Sequence, residues 1–210
     1  MAKPKKNKKH PKSKGGVMGR SDIPYAQRIQ MQHRSDVAVN REQAAKVTMF
    51  CISVAMYEIK RVAYKRLVRF HNRYMEYERE FYQDPEVGMA HAKARMEQMG
   101  MPISGEFYSV KQPGLSKRTQ NIHDHALQAA QIALICGAIA MNDEFGFGQE
   151  RQTRISERSY ELSDRYNKEG EGFLLEEMAK IGFPIVNGNV MAYVDGDMKA
   201  VHPRQAEVMK

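Results

Sequence analysis

The chain has no tryptophan and only two cysteines in 210 residues. Two thiols, Cys51 and Cys136, make no disulfide framework, and their spacing is not that of a zinc site. Both fall in apolar, helix-patterned segments, so they are expected to be buried and reduced. Long apolar runs are also lacking. The longest, around Val47–Met56 and Ile132–Met141, carry helical periodicity and polar neighbours, and neither approaches the roughly 18 residues of a membrane-crossing helix. The N-terminus has no apolar signal core, and Met1-Ala2 lacks the glycine that myristoylation needs. A cytoplasmic chain with no membrane partner is expected.

Acidic residues are missing from one place. Residues 1–20 hold Lys3, Lys5, Lys6, Lys8, Lys9, Lys12, Lys14 and Arg20 and not one Asp or Glu. Those eight charges equal the whole formal net charge of +8. Taking them from the 33 Lys and Arg leaves 25 basic against 25 acidic groups in residues 21–210. With Pro and Gly interruptions and almost no apolar content, residues 1–20 are expected to form a disordered basic tail. A mobile polycation suits the phosphates of DNA or RNA. Lysine contacts to phosphate carry little base information, so the binding expected is nonspecific.

What the sequence does contain is a self-match. At a shift of 85 residues Ala44-Ala45 falls on Ala129-Ala130, Cys51 on Cys136, Ala55-Met56 on Ala140-Met141, Arg66 on Arg151 and Glu76 on Glu161. These seven identities fall within 33 aligned positions. Three residues fewer in the second block bring Gly100-Met101-Pro102-Ile103 onto Gly182-Phe183-Pro184-Ile185. A match at long period reads as a duplicated structural unit.

Apolar and small residues at Ala44, Thr48, Cys51, Ala55, Ile59, Ala63, Leu67, Phe70, Tyr74, Tyr77 and Phe81 step by three and four, which is helical. A short helix to about His33 is expected before them, with Ser35-Asp36 offering a second cap. Asp84-Pro85 stops the long helix and caps another over 86–99, which Gly100 ends. Residues 103–115 read as a linker with one short strand at Phe107–Lys111. Ser116 caps a helix to about Glu144. Helices over 149–167 and 172–181 follow, and Asp195-Gly196 between two alternating runs signals a hairpin. The expected fold is all-α: a tandem duplication of a helical unit packed as a pseudo-dimer. The divisions are a tail (1–20), a first unit (21–105), a linker (106–115), a second unit (116–188) and an extension (189–210) with a small hairpin.

Phe145-Gly146-Phe147-Gly148 followed by Arg151 is the most distinctive local string. Its spacing is that of neither the P-loop nor the dinucleotide fingerprint. It reads as a hinge, in which the glycines release the helix, the aromatics anchor the turn and Arg151 opens the next helix. The matching Lys60, Arg61, Val62 and Ala63 permit a continuous helix, so the second unit is expected to break where the first bends or continues.

The segment Ala140–Arg151 resembles small uncharacterised helical proteins of bacteriophages and prophages of Gram-positive bacteria, in which a core helix runs into an acidic turn, the glycine box and an Arg-led helix. The resemblance implies a phage or mobile-element origin, hence a host-cell cytoplasm, and supplies no activity.

Arg61, Lys65, Arg69 and Arg73 recur every four residues, which lines them along about 18 Å of one helix face. With the seven tail lysines they are the candidate nucleic-acid-binding residues. The alternative is a helical protein–protein interaction module, a host-factor inhibitor or assembly component, whose partner is a host or phage protein. Catalytic readings fare badly. His123-Asp124-His125 does not converge on a metal from one helix, and neither cysteine has a base nearby in sequence. No catalytic set, metal or cofactor is expected.

Overall fold

The computed structural model describes residues 24–104, 106–194 and 197–201. The lysine tail and the Asp195-Gly196 turn lie outside the described residues. Six helices and a small sheet follow in order: α1 (Tyr25–Lys60), α2 (Tyr64–Gln83), α3 (Pro85–Gln98), α4 (Lys117–Phe145), α5 (Gln149–Glu169), α6 (Glu171–Lys180), then β1 (Ile185–Val186), β2 (Asn189–Val194) and β3 (Asp197–Ala200). The strands form one antiparallel meander in the order β1-β2-β3. The fold is therefore α-helical with a small C-terminal sheet, as the sequence pattern predicts.

The alanine-rich cores of α1 and α4 account for the architecture. Ala45, Ala55, Ala129, Ala133 and Ala140 are all buried. Their small side chains let the two backbones approach closely. At Gly137 an added Cβ would stand 3.0 Å from Ile52 Cδ1. Near the start of both helices His33 Nε2 meets Asn121 Oδ1 at 3.0 Å, and further along both Ile52 faces Gly137. Contacts that advance together in this way make α1 and α4 a parallel pair.

Around that pair, α5 and α6 pack against α1, while α2 and α3 pack against α4. Each unit thus lends its outer helices to the other unit's core helix. Ties in sequence-distant pairs follow the same plan: Gln43 Nε2 donates to Tyr166 Oη at 2.9 Å, Arg158 grips Glu58 at 2.6 Å, and Lys46 meets Glu171 at 2.7 Å. One apolar core runs through both units.

Two helices, α3 and α4, start at the caps the sequence marks. Asp84 Oδ1 accepts from the Glu86 and Val87 N–H groups, and Ser116 Oγ accepts from the Thr119 N–H. Each satisfies donors that a helix N-terminus leaves open. The short helices α3 and α6 end alike. Met101 N–H reaches Met96 O and Phe183 N–H reaches Met178 O, with Gly100 and Gly182 at positive φ between them. This six-to-one closure is the Schellman pattern, which glycine makes without strain.

Three expectations are corrected. No break occurs at Ser35-Asp36, because the Asp36 carboxylate accepts from Gln32 Nε2 four residues back and from Arg118 of α4 rather than capping a new helix. Residues 107–111 form no strand. Instead the Tyr108 N–H and C=O both bond the Gln131 side-chain amide, at 2.9 and 3.0 Å, which straps the linker to α4.

The third correction concerns the expected continuous helix at Lys60–Ala63. The first unit breaks there just as the second does. Arg61 takes the left-handed conformation (φ 52°, ψ 39°) and Gly146 takes the same one (φ 63°, ψ 31°). After each comes a buried apolar anchor, Val62 or Phe147, and an extended N-cap, Ala63 or Gly148. Packing of the returning helix enforces a turn for which the first unit has no glycine.

A left-handed conformation costs a non-glycine residue roughly 1–2 kcal/mol. Arg61→Gly therefore stabilises the protein by about 0.5–1 kcal/mol after the added flexibility of the unfolded chain is subtracted. Gly146→Ala destabilises it by about 1 kcal/mol. Urea unfolding of the two variants checks both signs.

Candidate nucleic-acid interface

The predicted cation row does not lie along one helix. Arg61 sits at the left-handed turn that closes α1, with its guanidinium 5.5 Å from the Tyr57 ring centre, and Lys65, Arg69 and Arg73 lie on α2. Arg61, Lys65 and Arg69 are exposed, and Arg73 is half-buried. The four differ electrostatically. Glu144, from the end of α4, stands 3.7 Å from Arg69 Nε and 3.9 Å from Arg73 Nε. Arg73 Nη1 also donates to Glu76 at 2.6 Å, and the charge of Glu76 raises the Arg73 pKa first of all. Among the described residues no carboxylate lies within 4 Å of Arg61 or Lys65. Two cations at the α1–α2 turn are thus open, and two further along are partly compensated.

Asp143 and Glu144, at the end of α4, form the junction of three helices. Asp143 accepts from the Tyr77 hydroxyl of α2 and from the Arg95 guanidinium of α3. Burial, followed by the Asp143 contact, pushes the Tyr77 phenol up to about 12. No sequence signal identifies these partners, because they depend on α2 and α3 packing against α4 rather than on spacing within α4.

The glycine box is a hinge in which two N–H groups turn inward to α4. The Gly146 N–H bonds Asn142 O at 2.7 Å, and Phe147 N–H points to Met141 O at 3.4 Å. Neither is offered to a phosphate. Gln152, buried on α5, donates through Nε2 to both Ala138 O and Phe147 O, pinning the turn to α4. Phe145 packs on Phe147 with ring centres 5.1 Å apart and receives the Arg66 guanidinium at 4.6 Å. Arg151, exposed on α5, lies 5.8 Å from the Phe147 ring. Gln152 is the residue the sequence reading misses. A polar residue beside a glycine box gives no sign of burial unless the returning helix is already placed.

Two polar pairs lie in the core. Ser53 Oγ donates to Met49 O and stands 2.9 Å from His71 Nε2, with Phe50, Phe70 and Phe183 around the imidazole. Tyr74 donates to Glu78 Oε1 at 2.8 Å. All four residues are buried, so neither pair meets solvent. Among the described residues no group of three or more metal-ligating side chains converges. Of the described helices, α4 alone has the length and hydropathy to cross a bilayer, and 50% of that window is buried within the fold.

Both cysteines are free and buried. Burial pushes the Cys51 thiol up to about 12 and raises Cys136 well above the ordinary thiol value. The thiolate is the reactive form. At pH 8 the native protein is therefore expected to leave both thiols unmodified by a disulfide reagent over the time in which the urea-unfolded chain titrates two. Rapid labelling of the native protein would contradict this. Compared with family models, with curated proteins and with solved structures, the chain finds no match.

Proposed function

We propose that this protein is a phage accessory protein that binds nucleic acid nonspecifically, through its lysine-rich tail and the cations at the α1–α2 turn. One observation carries the reading: the whole net charge of +8 lies in residues 1–20, ahead of an electrically balanced body. The open positions of Arg61 and Lys65 extend that charge onto the folded part, and Arg69 contributes once Glu144 yields to a phosphate. The phage assignment rests on the likeness of the Ala140–Arg151 segment to phage-encoded helical proteins. The shared left-handed breaks and Schellman ends support duplication of one helical unit as its origin.

Each phosphate neutralised releases counterions, so log K falls with log salt at about −0.9 per contact on duplex DNA. Deleting residues 1–20 is expected to weaken binding roughly a hundredfold or more at low salt and to flatten that slope. Unchanged affinity with an already flat slope would refute the reading. Glu144→Gln, by freeing Arg69, is expected to tighten binding about two- to fivefold, the scale of an exposed ion pair.

A protein-partner reading is favoured by a different observation. Along the first half of α1, Tyr25 is 72% exposed, Met31 58% and Val39 61%. Recovery from infected cells of a stoichiometric protein partner and no nuclease-sensitive material would select that alternative.

A further inference from the structure

The two halves differ at a place where a helix of each unit meets the other unit's core helix. In the first half Tyr74 fills this place. It is fully buried and donates to Glu78, and the charge of Glu78 reaches Cys136 of α4. Adding 85 to these numbers gives Ser159 and Ser163 on α5, and the cysteine across from them is Cys51 of α1. A phenol and a carboxylate are thus replaced by two hydroxymethyl groups. Beside these hydroxyls lies a cavity of about 290 Å³, lined in part by Thr48, Cys51, Leu127, Leu134, Ser159 and Ser163. Tyr108 and Val110 of the strapped linker form its rim.

The cavity has a chemical preference. Its surface is mainly apolar, but Thr48 Oγ1 donates to Ala44 O and Ser159 Oγ donates to Ser156 O. With their protons committed, these oxygens face a ligand only as acceptors. A charged ligand would lose its hydration with no counter-ion in the wall. A planar apolar ring carrying one hydroxyl donor matches both features, and it is what Tyr74 supplies at the equivalent place.

We infer that the pocket between α1, α4 and α5 is a binding site for a small neutral phenol, held by apolar contact with Leu127, Ala130 and Leu134 and donating to the Ser159 and Thr48 hydroxyl region. The site is independent of the nucleic-acid reading, since none of its residues belongs to the cation row.

Titration of the full chain with p-cresol, followed by methyl NMR, tests this. Saturable shifts at Ala130, Leu127 and Leu134 are expected, and toluene, which lacks the donor, should bind several-fold more weakly. Ser159→Tyr refills the cavity and should weaken p-cresol binding at least about tenfold. Should that variant fail to fold, Ser163→Met, one turn along the same face of α5, gives the same readout. Absence of saturable shifts in the wild-type chain, shifts confined to other methyls, equal affinity for toluene, or full binding by a folded variant would each overturn the assignment.

Discussion

The parallel contact between α1 and α4 is the constraint on which the rest depends. Its closeness requires small side chains, and both helices supply them where they meet, with Gly137 opposite Ile52. Because the axes are close, the outer helices sit across the seam, α5 on α1 and α2 on α4. Neither unit therefore encloses its own apolar face. The returning helices must reverse direction within three residues of their core helices. That demand, rather than local sequence, places Arg61 in a conformation glycine would take freely.

Much of the element order was legible in the sequence. Asp84 and Ser116 announce helix starts because their oxygens have backbone donors to satisfy two or three residues ahead. Gly100 and Gly182 announce helix ends because the closing turn needs positive φ. The failures share a cause. Asp36 looks like a cap until Arg118 of a distant helix arrives to hold it. The Lys60–Ala63 segment looks helical because nothing in Arg61 betrays the turn that packing imposes.

The cation row was legible as residues and not as a surface. A four-residue period shows which side chains share a face only if they share a helix, and the turn at Arg61–Ala63 divides this row. Glu144 of α4 lies 3.7 Å from Arg69 of α2. Charge balance across a packed seam has no signature along the chain. Buried Gln152, which holds the glycine hinge by two bonds to carbonyls, was hidden for the same reason. The two halves share one plan and diverge in detail: a cationic turn with a filled groove in one, a glycine turn with an open groove in the other.

The claim that both units form a single core through the α1–α4 seam is tested most directly by native-state hydrogen exchange. Buried segments of a cooperative body open together, with the free energy of global unfolding. The amides of Met49–Met56 in α1 and of Ala133–Met141 in α4 should therefore show one common opening free energy, shifted equally by added urea. Exchange of one segment at a markedly lower free energy, while the other stays protected, would show two separately stable units and contradict the shared core.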